Sequence, residues 1–323
     1  MAQYTKALAP DSLKDKVIVL TGGANGIGAS LVEYAVQTGA YVCFGDVSAQ
    51  AGEAIAKTVN ANSPSSPPRA VFVQTDVTNY GSVLSLFDRA IQVYGHVDHA
   101  VAGAGIVEIG NVFDPALDMQ SIREVSTDSC IRRKGYDNER EQAPPTKVLD
   151  VNLLGCLYTA RIASVYLRQN RPEPGADRSV ILISSVAGFK ESPGLFVYQA
   201  SKHGVIGLMR ALRLYLHGPA SAHNIRVNCI CPWMTTTVMV KGIQEGWAKA
   251  GLPMNSPMDV AKIAAAVLGD ASLNGTSMYV EGGRAWEIEA NLDRLEPSWL
   301  GEEPSMSLAK GQAVLGSGMD WTK

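Results

Sequence analysis

Residues 16–21, Lys-Val-Ile-Val-Leu-Thr, form a β-branched apolar run that stops at Gly22-Gly23-Ala24-Asn25-Gly26-Ile27-Gly28 and gives way to a helical pattern through about residue 38. A buried strand, a glycine turn and a helix in that order leave free backbone N–H groups at the helix start. These groups can receive a pyrophosphate, with glycines where the backbone must approach it closely. Gly22, Asn25, Gly26, Ile27 and Gly28 are the candidate contacts.

The next apolar run, 41–45, ends at Asp46, eighteen residues past Gly28. A carboxylate there can accept hydrogen bonds from an adenosine ribose diol and would repel a 2′-phosphate. Val47 follows and Asn25 precedes Gly26, so neither position offers a cation to a phosphate. The pattern favours NAD over NADP. Further strands are expected at 70–74, 98–102, 178–184, 225–230 and 277–281, with helical stretches between most of them. Such alternation predicts an α/β fold, a doubly wound, seven-stranded parallel sheet with helices on both faces and its ligand at the strands' carboxyl ends. Gly103-Ala104-Gly105 again places glycines at such an end.

Tyr198 and Lys202 stand four residues apart and share one face of a helix, and Ser185 precedes Tyr198 by thirteen residues at the end of a strand. A free phenol has a pKa of roughly 10, and service as a base near neutrality requires a drop of about 3 units, or about 4 kcal/mol. One ammonium about 5 Å away at an effective dielectric of about 20 contributes roughly 3 kcal/mol, and a cationic ring such as oxidised nicotinamide could supply the remainder. With Ser185 bonded to the same substrate oxygen, the three residues make an acid/base device for a carbonyl-alcohol pair. Such a tyrosine-lysine pair also arises by chance on exposed helices, so its meaning depends on the rest of the chain.

With 323 residues and 46% hydrophobic content, the chain can bury a full core. A net charge of -3 and a pI near 6.0 argue against nucleic acid and anionic membrane as partners. The amino terminus has no apolar core of signal-peptide length, and no later run approaches the ~20 apolar residues of a membrane span, so a cytoplasmic protein is expected. Five cysteines without paired C-x-x-C spacing are expected to be reduced thiols, with no metal site. Residues 118–147 break the rhythm with dense charge and end near Pro144-Pro145, which predicts an inserted surface excursion. A tail extends over 285–323, and one catalytic domain is expected for 1–323.

Taken together, Thr21-Gly22-x-x-x-Gly26-x-Gly28, Asp76-Val77, Val151-Asn152-Leu153-x-Gly155, Ile183-Ser184-Ser185, Tyr198-x-x-x-Lys202, Arg226-Val227-Asn228 and Val280-Glu281-Gly282-Gly283 resemble the short-chain dehydrogenase/reductase family in order and spacing. The resemblance spans about 14–284 and implies a Rossmann-type fold. It also implies a catalytic tetrad of Asn152, Ser185, Tyr198 and Lys202. In that scheme Tyr198 is the acid/base and Ser185 steadies the reacting oxygen. Lys202 favours the phenolate and holds the nicotinamide ribose, and Asn152 positions a water linking the lysine to solvent. Ser184 is expected to point to the other face of its strand. The resemblance further implies cofactor contacts from Asp76, Val77, Gly103, Tyr198, Lys202, Pro232, Thr235 and Thr237, a small-molecule substrate, and a homodimer or homotetramer.

Two departures stand out. Ala102-Gly103-Ala104-Gly105 replaces the family's Asn-Asn-Ala-Gly and removes polar groups that brace the central sheet, and Pro232-Trp233 replaces its Pro-Gly. The insertion and tail are similar to those of members from fungal secondary metabolism, some resembling 15-hydroxyprostaglandin dehydrogenase. Ser185, Phe189, Phe196, Trp233, Met234 and Trp247 are expected to line an apolar substrate pocket. The chain is thus expected to be an NAD-dependent oxidoreductase of a bulky secondary alcohol in specialised metabolism. A ketoreductase and a redox-silent isomerase, cyclase or scaffold are the alternatives.

Overall fold

The computed structural model describes residues 3–120, 146–169, 176–217, 221 and 223–316. The charged stretch expected at 118–147 falls almost wholly outside them, as do Cys130 and Trp321.

The elements are β1 (Gln3–Tyr4), β2 (Val17–Thr21), α1 (Gly26–Gln37), β3 (Tyr41–Asp46), α2 (Ala49–Asn62), β4 (Ala70–Gln74), α3 (Tyr80–Tyr94) and β5 (His99–Ala102). There follow α4 (Lys147–Tyr166), β6 (Ser179–Ile183), α5 (Phe196–Tyr215), β7 (Arg226–Pro232), α6 (Gln244–Lys249), α7 (Pro257–Gly269), β8 (Ser277–Glu281), β9 (Arg284–Glu287), α8 (Glu289–Leu300) and α9 (Glu302–Leu315).

The sheet runs β4-β3-β2-β5-β6-β7-β8-β9-β1. From β4 to β8 every pairing is parallel, so the seven expected strands form the core of the sheet. It has nine strands because the chain reverses at Gly282 and Gly283, both at positive φ, and sends β9 back antiparallel to β8. Gln3–Tyr4 then pairs with β9. Neither of these short strands carries a run of alternation long enough to be read from sequence.

Helices cover both faces because the parallel strands are apolar on both. On one face Val19, Ala100, Val180 and Val227 pack with Phe87 of α3, Ala160 of α4 and Val205 of α5. On the other, Ile18, Val42, Val101 and Ile230 meet Leu31 of α1 and Ala264 of α7. Strand β2 pairs with both β3 and β5, so the chain order reverses at the strand that feeds the glycine turn. That reversal opens the crevice where ligands of such sheets bind.

Helix α4 corrects one expectation. It has 20 residues, and an 18-residue window of it has a mean hydropathy of 1.3, enough by length and composition to cross a membrane. Cys156, Ala160, Ile162 and Ala163 on one side of it are buried and pack on α3 and β5, while Leu154, Leu157 and Val165 are exposed. A π-helical turn, Asp150–Leu154, interrupts it and carries Asn152.

Candidate active site

The glycine turn leaves no room for side chains. Gly22 has φ +79, and a Cβ there would come within 2.6 Å of the Ala104 backbone; one on Gly28 would lie 1.9 Å from the Gly22 carbonyl oxygen. Asn25 precedes α1 without capping it through its side chain. Gly26 has φ +53, and Ile27 is half-buried beside it. Asp46 accepts hydrogen bonds from the Ala24 N–H at 3.0 Å and the Ser48 N–H at 3.0 Å, and Val47 beside it is 63% exposed. The Gly103 N–H donates to the Thr21 carbonyl at 3.1 Å, which closes the turn against the end of β5. A helix start, a side-chain-free cradle and a strand-end carboxylate fit a dinucleotide. Asp76 is exposed and accepts from Thr78, whereas Val77 is buried against Gly155 in the core. Any contact of Val77 with a cofactor would therefore come from its main chain.

Ser185, Tyr198, Lys202 and Asn152 gather at the carboxyl ends of β5 and β6. The Lys202 Nζ donates to the Ile183 carbonyl at 2.9 Å and lies 5.6 Å from the centre of the Tyr198 ring. The Ser185 hydroxyl accepts from the Ala187 N–H at 3.2 Å and donates to the Pro232 carbonyl at a long 3.5 Å. Ser184 points the other way, as alternation requires, and donates to the Lys202 carbonyl at 2.8 Å. Asn152 stands on the π-helical turn beside them. Its amide donates to the Ile106 carbonyl at 2.9 Å and to the Ser201 Oγ at 3.0 Å, and its oxygen accepts the Ile106 N–H at 2.8 Å. Its side chain thus braces the backbone after Gly105. A Cβ on Gly105 would lie 3.4 Å from the Asn152 oxygen and 3.5 Å from the Lys202 Nζ, so this glycine keeps open the space between them.

The family model for short chain dehydrogenases matches residues 16–247. The chain belongs to the short-chain dehydrogenase/reductase family. A short-chain dehydrogenase/reductase of Acremonium egyptiacum is 32% identical over 87% of this chain and 83% of its own length. The 5'-hydroxyaverantin dehydrogenase of Dothistroma septosporum is 26% identical over 90% and 91%, and the human 3-hydroxyacyl-CoA dehydrogenase type-2 is 30% identical over 85% and 97%. A crystal structure of a short-chain type dehydrogenase/reductase from Mycobacterium marinum superposes with a TM-score of 0.67, covering 86% of this chain and 98% of that one at 22% identity, which supports the fold.

In this dehydrogenase/reductase the segment after Pro232 leaves the sheet and returns at Asn255. Thr235 pairs with Asn255 in an isolated bridge, and the fully buried Asn255 amide donates to the Val280 carbonyl and accepts the Gly283 N–H, each at 3.0 Å. The lobe so clamped brings Trp233 and Trp247 edge to face at 5.0 Å, with the Trp247 indole N–H donating to the Pro253 carbonyl. Thr237 faces the glycine turn, its methyl 3.2 Å from where a Cβ on Gly26 would stand. Met234 and Phe196, also expected at the pocket, have partners of their own. Met234 is buried and its main-chain carbonyl accepts the Asn255 N–H, and Phe196 meets Phe113 edge to face at 4.7 Å. Phe189 leans toward Tyr279 on β8, ring centres 6.3 Å apart.

Asn255 and Glu108 escaped sequence reading. Asn255 precedes a capping box, Ser256 with Asp259, which announces a helix start and nothing about a clamp. Glu108 accepts hydrogen bonds from the Val197 and Tyr198 N–H groups, 89 and 90 residues away, and no local pattern carries such a contact.

Proposed function

We propose that this short-chain dehydrogenase/reductase oxidises a bulky, mostly apolar secondary alcohol to a ketone with NAD, in specialised metabolism. The convergence of Ser185, Tyr198 and Lys202 beside a nucleotide cleft marked by Asp46 carries this reading. NAD bound along the glycine turn would supply the hydride acceptor. The Tyr198 phenol oxygen would take the proton of the substrate hydroxyl, helped by the Lys202 ammonium, while the Ser185 hydroxyl turns from its long bond to Pro232 to hold the same oxygen. Asn152 would keep the backbone after Gly105 in place through Ile106. A carboxylate at 46 with Val47 after it favours an unphosphorylated ribose, and the dehydrogenase names of the relatives from Dothistroma and human favour the oxidative direction. The fungal relatives favour a role in specialised metabolism.

The substrate class rests on the lobe. Trp233 and Trp247 meet at its base, and Val238, Met239, Ile243 and Leu252 are exposed around it. Apolar surface of this kind stabilises a bound ligand by roughly 25 cal/mol per Å² buried, and methionine adapts to its shape. Initial rates of NADH formation with short and bulky secondary alcohols test the proposal. Bulky alcohols should be preferred, and Trp233→Ala should erode that preference. A preference for small charged alcohols that survives Trp233→Ala would overturn the substrate class, and faster turnover with NADP would overturn the cofactor.

A further inference from the structure

Tyr198 is the third residue of α5, and an α-helix leaves its first N–H groups without partners of its own. The local position for a cap is occupied by Leu195, whose side chain offers no acceptor. Glu108, in the segment after β5, supplies one instead. Its Oε2 accepts the Val197 N–H and, at 2.9 Å, the Tyr198 N–H. The other peptide group of Tyr198 is tied to the same segment. Its carbonyl accepts the Ser201 hydroxyl at 2.6 Å, Ser201 accepts the Asn152 amide, and Asn152 is bonded twice to Ile106. Tyr198 is therefore held by both its N–H and its C=O to residues 106–108. Phe113 set edge to face on Phe196 adds a third tie between the same segment and the same helix turn.

We propose that Glu108 is a positioning residue for Tyr198, holding the phenol at the reacting oxygen by capping its helix from the segment after β5. This rests on the assignment of Tyr198 as the acid/base. Helix stability alone does not account for the arrangement. Glu108 is 8% exposed, and its second oxygen is buried with no hydrogen-bond partner among the described residues. Burying such an oxygen is unfavourable, and a serine or aspartate at position 195 would cap the helix without that cost. A local cap would fix the helix only to itself. The distant one fixes it to the backbone after Gly105, beside Asn152 and Lys202. Unfavourable local arrangements that persist in this way collect at functional sites.

Two variants separate reach from charge: Glu108→Gln keeps the length and an oxygen acceptor, and Glu108→Asp keeps the charge but falls a methylene short. The readout is the Tyr198 ring-carbon resonance of tyrosine-labelled full-length protein with NADH bound, assigned by its disappearance in Tyr198→Phe. It is read alongside NADH affinity and turnover of the best alcohol from the panel above. Glu108→Gln should leave the resonance in place and turnover within about twofold, whereas Glu108→Asp should shift or broaden it and lower turnover about tenfold or more with NADH affinity unchanged. A native-like resonance in Glu108→Asp, or equal losses in the two variants, overturns the proposal. The resonance needs no alcohol, so a native protein that oxidises none of the panel would count against the substrate reading and still leave this test decisive.

Discussion

The carboxylate of Asp46, at the end of β3, accepts the Ala24 N–H at 3.0 Å and so fastens one strand end to the glycine turn that follows its neighbour. The group that would choose the cofactor also shapes its cradle. Asp46→Ala should lower NADH affinity about tenfold or more, the scale of a lost charge-assisted hydrogen bond, and narrow the gap to NADPH. Fluorescence titration with both nucleotides checks this; equal or tighter NADPH binding by the native protein would remove the main support for NAD.

Gly28 and Gly207 should respond oppositely to alanine. The Cβ of Gly28→Ala would overlap the Gly22 carbonyl oxygen, so the turn must distort and NADH binding should be lost. Gly207, exposed within α5, has nothing within 4 Å of a new Cβ, and Gly207→Ala should stabilise the protein by about 0.5–1 kcal/mol. Denaturant unfolding and nucleotide titration distinguish the two.

Tyr198→Phe should lower turnover by about a hundredfold or more and leave NADH affinity near native, because a ring of similar size remains. Lys202→Met should damage both, since its ammonium also anchors the Ile183 carbonyl beside Ser185. Steady-state rates together with nucleotide affinity test the pair, and appreciable turnover by Tyr198→Phe would place the acid/base elsewhere.

Arg210 of α5 forks onto Glu289 at 2.8 and 3.1 Å, which ties the catalytic helix to the start of α8. The partners differ in exposure, 43% for the arginine side chain against 4% for the glutamate. Arg210→Ala strands a buried carboxylate that keeps only Arg213 at 3.5 Å, and should cost about 2–4 kcal/mol. Glu289→Ala leaves arginines that water can reach and should cost about 1–2 kcal/mol. Urea midpoints read the difference, and the reverse order would refute it.

His99 is buried at the start of β5 with its Nδ1 3.0 Å from the Ser179 Oγ on β6, and burial pushes its pKa down to about 4. An unfolded histidine titrates near 6.5, so between these values the unfolded chain binds the extra proton. The contribution of His99 is complete above about pH 6.5 and declines as pH falls toward 4. At pH 5 the loss is on the order of 2 kcal/mol, and His99→Gln should lack that part of the difference in urea midpoint between pH 7 and pH 5.

The sequence by itself determined the parallel core and most of the chemical cast. Val17–Thr21 running into a glycine turn, Asp46 at the next strand end and Tyr198 four residues from Lys202 are local patterns, because strand burial, turn geometry and helix spacing act over a few residues. Alternation likewise assigned Ser184 and Ser185 to opposite faces. The tertiary structure decided what those residues are attached to. It gave the Asn152 side chain to Ile106 and Ser201, sent Phe196 to Phe113, brought Trp233 against Trp247, and added β1 and β9 to the edge of the sheet. Glu108 shows why. Its acceptor and the N–H of Tyr198 are 90 residues apart, and the folded sheet alone brings them to one end of one helix.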